Sequence, residues 1–108
     1  MKTPYEMSIV RIVRMEFKEE CTSEFDAIFA ESQSKIEAQP GCRKVLMLRS
    51  TLNHCQRTTM SWWNNEQALN AYRQSELFGS VWPKTKSLFA AEPIAWSMDW
   101  SSEITWPH

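Results

Sequence analysis

Between Ser8 and Phe17 the chain reads S-I-V-R-I-V-R-M-E-F, a run rich in β-branched residues that predicts a strand. Alternation places Ile9, Val13, Met15 and Phe17 on one face, and Val10 and Ile12 on the other with Arg14 and Glu16. Apolar residues on both faces predict cover on both sides, at least in part. Arg43 to Ser50 predicts a second strand, with Val45 and Met47 opposite Leu46 and Leu48, and Arg57 to Trp63 a third; the polar stretch Thr51 to Gln56 connects them. Ile94, Trp96, Met98 and Trp100 alternate with Ala95, Ser97 and Asp99, the cleanest period of two in the chain. That pattern predicts a fourth strand with one strongly buried face.

Helical spacing fills the gaps. Ser23 stands before an acidic turn with Glu24 and Asp26, a suitable start, and Phe25, Ile28, Phe29 and Ile36 recur on one side until Pro40-Gly41 ends the helix. Asn64 or Asn65 can cap a second helix, Asn64 having capping-box spacing to Gln67, and Ala68, Leu69 and Tyr72 form its inner face. Ser75 predicts a second cap and a break. Phe78, Trp82, Thr85 and Phe89 continue the stripe, while Gly79 and Pro83 argue for another interruption, with Pro83 in the first turn of a new segment.

The order is β-α-β-β-α-β, which predicts an α+β, ferredoxin-like domain: a four-stranded antiparallel sheet with both helical regions on one face. One domain is expected over residues 1–108, with a core at 8–100 and a tail at 101–108. The opposite sheet face needs a cover, and a second copy of the same sheet is the simplest, so a homodimer is expected.

Composition narrows the functional classes. The net charge of -1 supplies no electrostatic reason for a nucleic acid or anionic membrane partner. No window approaches the ~18 apolar residues of a membrane span, and the opening residues lack the apolar core of a secretory signal. Two glycines leave no room for a glycine-rich phosphate loop. The odd set Cys21, Cys42 and Cys55, with no C-x-x-C pair, points to a reducing, cytoplasmic compartment. Cys42, His54 and Cys55 lack the paired spacing of a zinc site, so no metal is expected. Aromatic residues make up 12% of the chain, more large rings than a small monomer readily hides, so some are expected to line a cavity or a subunit interface.

The run Trp63-Asn64-Asn65-Glu66-Gln67-Ala68-Leu69-Asn70-Ala71-Tyr72-Arg73-Gln74-Ser75-Glu76-Leu77-Phe78 resembles the signature of the antibiotic biosynthesis monooxygenase family. Pro40-Gly41-Cys42 resembles the family's turn before the second strand. Val81-Trp82-Pro83-Lys84-Thr85-Lys86, then Pro93 and Trp96-Ser97, resemble one small bacterial branch. The resemblance implies a dimeric α/β barrel, two sheets face to face, with a pocket in each subunit between helices and sheet. Its best-known members oxidise polycyclic aromatic molecules with dioxygen and no metal or flavin; others degrade haem, isomerise small signalling molecules or have no known activity. In haem-degrading relatives an Asn on the first strand, a Trp on the second helix and an axial His are used. Here Tyr72 and Trp82 stand at the Trp and His positions and Ser8–Phe17 holds no Asn, so the resemblance does not extend to that chemistry and no cofactor is expected.

By resemblance Trp63 is the third-strand Trp that lines the pocket in many members; the plain alternative is an anchor between second helix and sheet. Tyr72, on the inner stripe, can donate to a substrate carbonyl or pass a proton, or simply pack. Phe78 and Trp82 are pocket wall or core. Arg11 and Arg14 differ in parity and project to opposite faces, so one can meet an enolate or other anionic oxygen in the cavity while the other pairs with a carboxylate. His54, the only histidine before the C-terminus and the only obvious base near neutral pH, is a candidate substrate contact, although in its loop exposure to solvent is the simpler role. Two functions follow: a cofactor-independent monooxygenase on a small aromatic or polyketide-like substrate, or a non-catalytic dimer binding a small hydrophobic molecule. Single-stranded RNA binding would need exposed aromatics on strands one and three in a basic surround, and is rejected.

Overall fold

The computed structural model describes residues 8–99. Strands β1 (Ile9–Glu16), β2 (Cys42–Arg49), β3 (Gln56–Trp63) and β4 (Ile94–Asp99) form one antiparallel sheet in the order β2-β3-β1-β4. Helix α1 (Thr22–Glu37) joins β1 to β2, while α2 (Glu66–Arg73) and α3 (Glu76–Lys86) together join β3 to β4. The α+β, ferredoxin-like order is as expected.

Strand parity decides what each side of the sheet meets. Val13 and Met15 of β1, Val45 of β2 and Trp63 of β3 pack with Phe25, Phe29 and Ile36 of α1, Leu69 of α2 and Leu88 in the main core. Each fully buried apolar side chain of this kind contributes ~1.5–3 kcal/mol. Register carries the pattern across the strands: Arg11 lies between Ser61 of β3 and Ser97 of β4, and Ile12 between Met60 and Trp96. The odd-numbered residues of β1 therefore face the helices and the even-numbered ones the open side.

Element boundaries depart from expectation where local geometry offers an alternative. A 3-10 turn, Glu19–Cys21, runs straight into α1, so Ser23 is inside the first turn and Cys21 takes the cap position with no side-chain cap bond. Asn65 rather than Asn64 caps α2, its side chain accepting from the Ala68 N–H at 2.8 Å. Asn64 is engaged elsewhere: its N–H donates to the Gly41 carbonyl at 2.8 Å and its side chain accepts from Arg43 at 2.9 Å. Ser75 does cap α3, accepting from the Phe78 N–H and donating to the Tyr72 carbonyl.

The expected interruption at Gly79 and Pro83 does not occur. Helix α3 runs unbroken from Glu76 to Lys86 with Pro83 inside it. Both residues lie on the exposed side of α3, where the Gly79 carbonyl that loses its partner four residues on can be hydrated. The fourth strand forms as expected, but its apolar stripe is uncovered within one chain: Ile94 is 49%, Trp96 37% and Met98 53% exposed. Trp100 and the tail at 101–108 lie outside the described residues. Among the described residues no helix is long and apolar enough to cross a membrane.

Candidate functional site

A cavity of about 280 Å³ lies between the inner face of the sheet and helices α1, α2 and α3. Its wall is largely apolar, and α2 and α3 give it an aromatic side of Tyr72, Phe78 and Trp82, with Trp63 behind them. Trp63 stacks on Tyr72 with centroids 5.0 Å apart; Tyr72 meets Phe78 edge-on at 5.3 Å; Phe78 stacks on Trp82 at 5.7 Å. Trp82 then meets Phe89 edge-on at 5.7 Å, and Phe89 contacts Phe17 at the end of β1. Ser75 shapes this arc: two residues after α2 ends it donates to the Tyr72 carbonyl and caps α3, so that Phe78 turns back onto the phenol.

Polar groups in the wall divide into satisfied and unsatisfied ones. Ser32 and Thr85 donate to carbonyls of their own helices, those of Ile28 and Val81. The Tyr72 and Thr59 hydroxyls make no hydrogen bond among the described residues, although both residues line the cavity. Burial first, then the charge of Cys42, pushes the Tyr72 phenol up to about 12, so it remains a neutral O–H donor near neutral pH. Burial likewise raises the Cys42 thiol to about 11. Arg11 enters from β1 with Nη1 donating to Ser97 Oγ at 3.2 Å. Its pKa is lowered, by burial first and then by the charge of Arg73.

A family model described as antibiotic biosynthesis monooxygenase matches residues 8–81. The chain belongs to the antibiotic biosynthesis monooxygenase family. Solved structures of similar fold include a conserved protein from Methanosarcina mazei Go1, with a TM-score of 0.85 at 17% identity, covering 89% of this chain and 95% of that one. Rv0793 from Mycobacterium tuberculosis aligns with a TM-score of 0.81 at 15% identity, covering 91% and 99%. A mutant of SnoaB, a cofactor-independent oxygenase from Streptomyces nogalater, aligns with a TM-score of 0.77 at 16% identity, covering 94% and 98%. No curated protein matches the sequence.

Within this member of the family, the candidate residues separate by position. Tyr72, Phe78, Trp82 and Arg11 come together around the cavity. Trp63 is fully buried behind Tyr72 rather than in the wall, its indole N–H donating to Ser61 Oγ at 2.9 Å. Trp62 points to the opposite sheet face. Arg14 is exposed on that face too, because the helices cover the odd residues of β1. His54 is in the β2–β3 loop, its side chain 75% exposed and 3.5 Å from Glu19, outside the cavity. Among the described residues no three of His, Cys, Asp and Glu gather as a metal-binding group.

Sequence reasoning passed over Arg73, Thr59 and Ser61. A signal for the last two was present: β3 carries Arg57, Thr59 and Ser61 on the side of Trp63, and Met60 and Trp62 on the other. Polar residues aimed at the helices mark a lined space rather than a filled core. Arg73 carried no such mark, since a basic residue in a helix's last turn is ordinary.

Proposed function

We propose that this protein is a cofactor-independent monooxygenase acting on a small aromatic or polyketide-like substrate held in the cavity, and that it works as a homodimer joined through the open sheet faces. The observation carrying this is the aromatic-walled cavity with a neutral phenol and a guanidinium turned to its lining. Flat rings fit against Tyr72, Phe78 and Trp82. An electron-rich substrate anion would give one electron to dioxygen, and the resulting radical pair would combine at carbon. Loss of water from the peroxide leaves a carbonyl, so one oxygen atom enters the product and the other leaves as water. The protein's part is to exclude water, orient the rings and stabilise oxyanion charge, with Tyr72 and Arg11 as donors.

Among the described residues the lining holds no carboxylate or imidazole, which supports a division of labour in which the substrate's own acidity supplies the anion. The same absence favours the second reading, a non-catalytic dimer that binds a small hydrophobic molecule. Oxygen uptake with a panel of anthrones and hydroxynaphthoquinones, without added metal or flavin, separates them. The oxygenase reading expects uptake above the buffer rate for at least one compound. Uptake at the buffer rate for all, with aromatic ligands still bound, establishes the binding protein instead.

A further inference from the structure

We infer that the molecule bound in this cavity is an aromatic acid, an apolar ring system bearing one carboxylate or ionised hydroxyl held between Arg11 and Arg73. The inference rests on the cavity being the ligand site of the proposed oxygenase and names the substrate's charge class. Its basis is a charge count. Arg11 and Arg73 both line the cavity, and among the described residues no aspartate or glutamate does. The ion pairs among the described residues employ Lys35, Arg49, His54 and Arg57, leaving both cavity arginines without a carboxylate. Arg11 spends one donor on Ser97, and its other N–H groups have no acceptor among the described residues.

Two like charges at one cavity repel, and Arg73 contributes to holding the Arg11 pKa below its ordinary value. Arg73 is exposed, so solvent screens part of this repulsion, and an anion placed between the two relieves the rest. A neutral ligand leaves the repulsion in place. Much of the remaining wall suits an aromatic body: Val13, Phe78, Val81 and Trp82 offer no polar atom of their own apart from the indole N–H, while β3 adds the Thr59 and Ser61 hydroxyls. The Tyr72 hydroxyl, still protonated at neutral pH, adds a third donor suited to an oxyanion.

The test is binding, measured anaerobically so that turnover plays no part, by tryptophan fluorescence with 1-naphthoate, an ionised nitronaphthol and the neutral isostere 1-naphthamide. The wild type should bind one or both anions about tenfold or more tighter than the amide, as charge-assisted contacts require. Added salt should weaken the anions and leave the amide unchanged. Arg11→Gln and Arg73→Gln should each erode the preference, and Arg11→Lys should keep part of it; circular dichroism identifies any variant that fails to fold. A preference for carboxylate over phenolate, or the reverse, names the anionic group. Equal affinity for anions and amide in the wild type overturns the inference, as does a preference that survives in the folded double Gln variant. Because no oxygen is consumed, a selective protein without oxygenase activity would refute the proposed reaction and leave this inference standing.

Discussion

At the scale of single residues, Tyr72 joins the cavity's chemistry to the fold. Its ring is packed between Trp63 and Phe78, whereas its hydroxyl makes no hydrogen bond among the described residues. Tyr72→Phe should therefore leave the urea-unfolding midpoint nearly unchanged, while oxygen uptake with an active substrate falls by a factor of order one hundred, the value of an oriented donor in a dry site. The raised phenol also sets a pH dependence. The folded chain keeps this proton up to about 12, above the ordinary value of 10.0, so the folded state binds more protons in that interval. Stability is full below pH 10 and falls as pH rises towards 12, and Tyr72→Phe should flatten this part of the curve. Arg57 is a different case. Buried in β3, its Nε and Nη2 reach the two Asp26 oxygens at 2.9 and 3.2 Å, and Nη1 donates to the His54 carbonyl at 2.7 Å. Arg57→Ala leaves Asp26 with only the exposed Arg49, 3.8 Å away, and removes the donor from the His54 carbonyl, and should cost about 1–3 kcal/mol in chemical denaturation.

At the scale of elements, the two glycines make opposite predictions. Gly41, between α1 and β2, has φ +81°, and a Cβ there would fall 2.5 Å from the Ala68 Cβ. The turn and α2 approach so closely because the Asn64 N–H bonds the Gly41 carbonyl. Gly41→Ala combines strain with a collision and should destabilise by more than about 1 kcal/mol. Gly79 sits in the interior of α3 with open space where a Cβ would go. Gly79→Ala should stabilise by about 0.5–1 kcal/mol, since alanine loses less backbone freedom in a helix. Thermal melts of both variants check the pair, and a stabilising Gly41→Ala would show the turn to be more pliable than its contacts allow.

At the scale of the whole molecule, the sheet has one face under helices and one bearing Ile94, Trp96, Met98 and Leu48 to solvent. Apolar surface of this extent seeks a cover. The proposed homodimer predicts a sedimentation-velocity mass of twice the chain at micromolar concentration. Trp96→Glu with Met98→Glu should abolish that species, leaving monomer or aggregate, because two charges cannot be buried unpaired against a second sheet. A well-folded wild-type monomer at that concentration rules the assembly out.

Strand positions, their two faces, the Ser75 cap and the β-α-β-β-α-β order were legible in the sequence, because periodicity and capping depend on neighbours a few residues apart. The same locality made Arg11 and Arg14 equivalent. Parity placed them on opposite faces, and only the packing of α1, α2 and α3 onto the odd side assigned Arg11 to the cavity. Arg73 and the Arg57–Asp26 pair were hidden for a related reason: their partners lie on elements distant in the chain, and no local pattern encodes a meeting decided by how helices settle on a sheet. Pro83 shows the reverse. The local rule predicted a break, and an exposed position with a hydratable carbonyl offsets part of the cost. Local chemistry therefore determined which elements form and which residues share a face; tertiary packing decided which face encloses space, and with it which polar groups are left free to meet a ligand.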